Sequence, residues 1–172
     1  MRTLVLMFSA LAAPHVWATE DTRSFAFSLG GFSGSDTSGV ATGFYSLRPG
    51  SIGWYVNGTF SSRVGEHQDD DAFRPIPGDI RVDSDTESMS VNVGLTFTLE
   101  PVALYAGVGI SQISEYGLYR APSAAFWYEE KDDTKANFNF GLLLPLYRNL
   151  GLDLGVNSAN EEVVLGLKWG TR

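Results

Sequence analysis

The stretch Ser88-Met89-Ser90-Val91-Asn92-Val93-Gly94-Leu95-Thr96-Phe97-Thr98-Leu99-Glu100-Pro101-Val102-Ala103-Leu104-Tyr105-Ala106-Gly107-Val108-Gly109-Ile110-Ser111 decides the fold. Before Glu100-Pro101, Met89, Val91, Val93, Leu95 and Phe97 alternate with Ser88, Ser90, Asn92, Gly94, Thr96 and Thr98. After it, Val102, Leu104, Ala106, Val108 and Ile110 alternate with Ala103, Tyr105, Gly107, Gly109 and Ser111. Successive side chains of an extended chain point to opposite faces, so a period of two marks a strand with two unlike faces. Proline has no N–H to give to a ladder, so Pro101 marks a break between two strands, and the pair reads as a hairpin with a tight turn.

The same period continues on both sides of this hairpin, and no stretch has a convincing period of 3.6. Eight strands are predicted, over 23 to 32, 39 to 47, 51 to 62, 87 to 99, 101 to 113, 134 to 146, 149 to 157 and 162 to 170. In the third, Ile52, Trp54, Val56 and Phe60 oppose Gly53, Tyr55, Asn57, Thr59 and Ser61. In the sixth, Phe138, Phe140, Leu142 and Leu144 oppose Asn137, Asn139 and Gly141. Only the second strand is ambiguous. The expected fold is all-β, an eight-stranded antiparallel up-and-down barrel.

Alternation does not say which face meets water, because soluble and membrane barrels are inside-out versions of one pattern. Composition of the polar face does. A solvent-facing sheet carries Lys, Glu and Arg against aggregation, yet within the strand cores only Lys135, Asp153 and Lys168 are charged. Gly, Ala, Ser, Thr and Asn suit a narrow lumen, and the Leu, Val and Phe face suits lipid. The barrel is therefore expected to be transmembrane, with every backbone group satisfied by ring closure. The connections agree. Arg48-Pro49-Gly50, Glu100-Pro101 and Arg148-Asn149 are short, whereas 63 to 86 and 114 to 133 read as long, polar, irregular loops at the opposite end. Phe25, Trp54, Phe97 and Trp169 fall on the apolar face near the turn end, as a membrane-interface girdle would. A four-residue turn at Ala159 to Glu162 would put Asp153 directly opposite Lys168, a lumenal ion pair.

At the N-terminus, a short positive start (Met1-Arg2-Thr3), an apolar run from Leu4 to Ala13, and Val16-Trp17-Ala18 read as a secretory signal over residues 1–18, cut after Ala18. The run is about half the roughly 20 residues a helical span needs. Residues 19–172 then form one barrel domain. The chain has 172 residues, no cysteine and a formal charge of −8. Without cysteine no disulfide holds an exported fold, so a closed sheet must. An acidic chain offers no basic surface for nucleic acid, which is excluded as a partner.

On this architecture the chain resembles the eight-stranded Gram-negative outer-membrane barrels, the superfamily of the OmpA membrane domain and the opacity proteins. The resemblance covers the mature sequence and rests on architecture. Such families end in a signal read by the barrel-assembly machinery, and Gly166-Leu167-Lys168-Trp169 matches its first part, while Thr171 stands where a second aromatic is expected. The resemblance implies outer-membrane lipid, lipopolysaccharide and that machinery as partners, no cofactor, and no wall-anchoring role.

Enzymes built on such barrels resemble one another in needing a histidine as general base or water activator. Once the signal is removed His67 is the sole candidate, in Glu66-His67-Gln68-Asp69-Asp70-Asp71. No His-x-Ser pair accompanies it. Asp69, Asp70 and Asp71 are hard oxygen donors that could attract a divalent ion, but their spacing fits no calcium loop and no resident metal is expected. Tyr119, Arg120, Phe126, Trp127 and Tyr128 are candidates for contact with an unknown surface ligand, since exposed aromatics with arginine make hot spots. The expected role is non-enzymatic, structural or surface contact, through 63 to 86 and 114 to 133. The rivals are a lipid A-modifying enzyme using His67, a narrow small-solute pore, and a periplasmic lipocalin-like ligand-binding barrel.

Overall fold

The computed structural model describes residues 24–61, 74–122 and 124–170. Eight strands follow one another: β1 (Ser24–Ser33), β2 (Ser38–Leu47), β3 (Ile52–Ser61), β4 (Ile80–Leu99), β5 (Val102–Arg120), β6 (Ala125–Tyr147), β7 (Leu150–Asn157) and β8 (Glu162–Gly170). Each pairs antiparallel with the next, and β8 returns to β1 from Ala26↔Gly170 to Ser33↔Val163, closing the barrel.

Closure turns the alternation into an inside and an outside. Phe27, Leu29, Val40, Phe44, Val56, Val93, Leu104, Phe140 and Leu165 are exposed around the wall, whereas Ser28, Thr59, Ser90, Asn92, Thr96, Ser111, Asn137 and Asn139 are buried. A water-soluble barrel has the reverse arrangement, so the lipocalin-like rival fails: the interior is polar and the apolar face is the outer surface. The ambiguous β2 resolves with Val40 and Phe44 outward and Ala41 and Tyr45 inward.

Inside, small residues frame large ones. A Cβ on Gly94 would fall 2.6 Å from the Tyr55 ring, and one on Gly155 would overlap the Tyr105 hydroxyl. Glycine is required at both because a ring lies where a side chain would be. The buried apolar cluster of Ala26, Tyr45, Leu47, Tyr55, Ala103, Tyr105 and Leu143 fills the half nearer the short turns.

Two expectations are corrected. The segment 114 to 133 is not an irregular loop: β5 runs to Arg120 and β6 starts at Ala125, paired through Tyr119↔Phe126 and Arg120↔Ala125. Residues 80 to 86 likewise belong to β4 and pair with β5. The polar composition there reflects water on both faces rather than loss of strand. In the second correction, Asp153 pairs with Gly166, and Lys168 with Gly151, so the two charges are not directly opposite. The β7–β8 turn begins one residue earlier than predicted and closes on Asn157↔Glu162. Asn157 sets that start, its Oδ1 accepting from the Ala159 N–H at 3.2 Å.

Candidate functional site

Two buried carboxylates organise the lumen. Asp153 of β7 accepts from the Tyr45 hydroxyl at 2.5 Å and from the Tyr105 hydroxyl at 2.9 Å. The rings of Tyr45, Tyr55 and Tyr105 pack on one another with centroids 5.0 to 5.8 Å apart. Tyr55 donates to Asn139 Oδ1 at 2.6 Å, and Asn57 Oδ1 accepts from both Asn92 and Asn139. Three rings from three strands thus cross the lumen and are tied to its walls. The space left beside them, about 20 Å³ lined by Asn57, Asn92, Asn139 and Asp153 among others, suits a water and nothing larger.

Nearer the opposite end, Glu162 is 2% exposed and accepts from Thr59 at 2.9 Å, Asn157 at 3.2 Å and Ser88 at 3.3 Å. Thr59 and Asn157 also reach Ser90. Hydroxyl and amide donors converge on both carboxylates, and such donors help a narrow interior to accommodate charge. Sequence reasoning placed Tyr55, Tyr105 and the asparagines on the polar face but did not single them out. Glu162 was missed because it stands at a strand end, and Tyr45 because its strand was ambiguous.

Beyond the wall, the described residues of β4, β5 and β6 continue as a paired sheet. On the face continuous with the lumen, Glu130 accepts from Tyr119 at 2.7 Å and from Arg81 at 2.7 Å. Tyr119 stacks on Phe126 at 6.1 Å and meets Tyr128 edge-on at 6.5 Å. The hydrogen bond to Glu130 holds the Tyr119 phenol above its ordinary value. Lys131 contacts Asp133 at 2.7 Å, which raises the ammonium and lowers the carboxyl. On the other face Tyr116 donates to Glu129, and burial, with the carboxylates of Glu87 and Glu129 beside it, pushes its phenol up to about 12.

The predicted contact residues therefore lie on strands and divide between faces: Tyr119, Phe126 and Tyr128 on one, Arg120 and Trp127 on the other. Phe25, Trp54, Phe97 and Trp169 all sit on the outer surface near the short turns. Phe44, not anticipated, links two of them, 5.5 Å from Phe25 and 5.7 Å from Trp54. Tyr147, with the Arg148 guanidinium 5.3 Å from its ring centroid, is exposed at the same end. His67, Asp69, Asp70 and Asp71 lie outside the described residues, as do residues 1–18.

Solved structures share this architecture, two of which follow. Ail, the attachment invasion locus protein of Yersinia pestis, in complex with the heparin analogue sucrose octasulfate, superposes with a TM-score of 0.53 at 12% identity, covering 86% of this chain and 95% of that one. A major outer membrane protein from Thermus thermophilus gives 0.50 at 15% identity, covering 86% and 99%. At such identities the likeness is one of fold alone. No curated protein matches by sequence. The family profile described as outer membrane protein beta-barrel domain matches residues 3–165, nearly the whole chain. The closed eight-stranded barrel with its apolar exterior thus belongs to the outer membrane protein beta-barrel family, and its place is the outer membrane.

Proposed function

We propose that the barrel is a membrane anchor for its external sheet, and that the protein acts without catalysis in surface contact and envelope integrity. The observation that carries this reading is the continuation of three adjacent strands past the apolar wall, paired to Arg120↔Ala125 and bearing aromatic and ionic side chains on both faces. An ordered sheet presents a fixed surface, which lowers the entropic cost of contact relative to a loop that must order on binding. In this reading residues 1–18 export the chain, and the aromatic belt around Phe25, Trp54, Phe97 and Trp169 seats it at the membrane interface. Lipopolysaccharide surrounds the wall, and the crossed tyrosines argue against a solute pore.

The test is to replace residues 117–128 with Asn-Gly, a sequence suited to a two-residue hairpin turn. The shortened protein is expected to keep its boiling-dependent gel shift in the outer-membrane fraction while losing the attachment or detergent resistance that the full chain confers on cells. Unchanged attachment and detergent resistance would overturn the reading. Lipid A mass spectra are expected to be the same with and without the protein. A new lipid A mass that disappears in His67→Ala would make the enzyme rival the leading one.

A further inference from the structure

The apolar wall is not equally tall all round. Its lowest outward residues lie at the short-turn end: Phe25 on β1, Ile52 on β3, Phe97 on β4, Val102 on β5, Leu146 on β6, Leu150 on β7 and Trp169 on β8. Every second residue faces out, so the position eight residues further up each strand, or in its turn, is again outward and at a similar height. On β3 to β6 that position holds Phe60, Met89, Ile110 and Phe138. On β7, β8 and β1 it holds Ser158, Glu161 and Ser33, all exposed. Ser38, paired with Ser33, carries the polar edge on to β2. Four strands thus lack the top apolar rung that the other four possess. At about 3.3 Å per residue and a tilt of roughly 40°, one rung is about 5 Å of height.

The low polar edge is braced. The Ser35 N–H donates to the Asn160 carbonyl at 3.2 Å, Asn160 Nδ2 to the Thr37 hydroxyl at 2.8 Å, and the Ser35 hydroxyl to Glu161 Oε2 at 3.4 Å, which ties the β1–β2 turn to the β7–β8 turn. Ser158 is held to β6, its N–H donating to the Phe138 carbonyl and its hydroxyl accepting from the Phe138 N–H, each at 2.9 Å. Sinking two turns and a carboxylate into hydrocarbon is costly, because no water meets backbone or charge there. Raising the tall side into water is costly too, since Ile110 is 63% and Phe138 69% exposed. Tilting the barrel would level the outer edge only by unlevelling the turn end. The aromatic belt opposes that, with Phe25 and Trp169 on the low half and Trp54 and Phe97 on the tall one.

We propose that the barrel thins the membrane along one half of its circumference: beside β7, β8, β1 and β2 the polar groups of the outer leaflet are drawn down by about 5 Å to meet Ser33, Ser38, Ser158 and Glu161. Beside β3 to β6 they stay level with Phe60, Met89, Ile110 and Phe138. The low half is thus an interaction surface for lipid whose chains are short or loosely packed, because such chains give up least contact when the leaflet thins. This inference goes beyond the surface-contact reading and uses no residue of the sheet segment 117–128, so either can fail alone.

The chain has no cysteine, so a single introduced one carries a nitroxide without competing sites. The experiment is paramagnetic resonance of the protein extracted from outer membranes and reconstituted in dioleoyl phosphatidylcholine vesicles, with labels on Ser33→Cys, Ser158→Cys, Ile110→Cys and Phe138→Cys. Collision with oxygen, which concentrates in hydrocarbon, is compared with collision with a nickel chelate confined to water. The Ile110 and Phe138 positions are expected to favour oxygen, and the Ser33 and Ser158 positions to favour the chelate by at least several-fold. Labels on Phe25→Cys and Leu146→Cys, at the turn end of the two halves, should match each other. Four upper labels of equal depth would mean a leaflet of even thickness, and unequal lower labels a tilted barrel. Either result would overturn the proposal, provided each variant keeps its boiling-dependent gel shift. As a second measurement, Ser33→Leu combined with Ser38→Leu restores the missing rung on β1 and β2, and should raise refolding yield in dioleoyl relative to dilauroyl vesicles. Gln112→Leu, which heightens the tall half instead, should not, and an equal response of the two variants would also count against the low sector.

Discussion

The same three strands live in two environments. Within the wall, β4 to β6 send Val91, Val93, Leu95, Leu104, Val108, Ile110, Phe138 and Phe140 outward and keep Ser90, Asn92, Ser111, Asn137 and Asn139 buried within. Past Ile110 and Phe138 the ladder is unbroken apart from local shifts at Arg81/Asp83 and Glu115/Tyr116. The side chains nevertheless change character, and both faces carry carboxylates, aromatics or arginine. The backbone gains the same hydrogen bonds in both halves. What differs is the surroundings: lipid on one side and a narrow, side-chain-filled lumen on the other below, water on both sides above. A polar contact is therefore worth much more in the lower half, where a lost partner is not replaced by water.

That contrast can be broken most severely from the lipid side. Val93 lies mid-wall, paired with Val56 and Val108, and Val93→Arg is expected to destabilise the barrel by about 2–4 kcal/mol in urea unfolding from lipid vesicles. Next comes the lumen. Asp153→Ala removes the acceptor of two buried phenols and should cost about 2–3 kcal/mol by the same assay, eased only if water enters the space. Tyr105→Phe deletes one donor and leaves the carboxylate with Tyr45 among its donors, so about 1 kcal/mol is expected.

The smallest effect belongs outside. Glu130→Gln removes the charge from the contacts with Arg81 and Tyr119, which lie outside the wall, and should leave barrel unfolding unchanged within about 0.5 kcal/mol. Its signature is spectroscopic. Tyr119 has a raised phenol value, so its contact is fully present below the ordinary phenol range and lost as pH rises through the raised one. In Glu130→Gln the Tyr119 titration, followed by phenolate absorbance against a Tyr119→Phe control, should move back toward the ordinary value. A large loss of barrel stability in this variant would show that the two halves are energetically one unit.

Much of the wall was legible because alternation and tight turns are local. β1, β2, β3, β7 and β8 fall within a residue of their expected bounds, and Phe25, Trp54, Phe97 and Trp169 lie on the outer face that the period gave them. The external sheet was not legible, because Glu129, Glu130, Lys131, Asp132 and Asp133 form a charge run that reads as solvated loop unless a partner strand is known. The predicted rung of Asp153 and Lys168 was off for a different reason. Displacing the β7–β8 turn by one residue shifts cross-strand partners by two, which keeps Asp153 and Lys168 on the same face but not on the same rung.

By itself the sequence determined which residues face lipid and which face the lumen, and that the strands must close, because a period of two and the need to satisfy backbone groups in a bilayer are properties of the chain and its solvent. Only the tertiary structure decided what meets across the lumen: Tyr45 and Tyr105 on Asp153, Thr59 and Ser88 on Glu162, Tyr55 on Asn139. Those partners are separated by tens of residues, and their meeting depends on the register of every strand between them and on the closure that brings β8 back to β1.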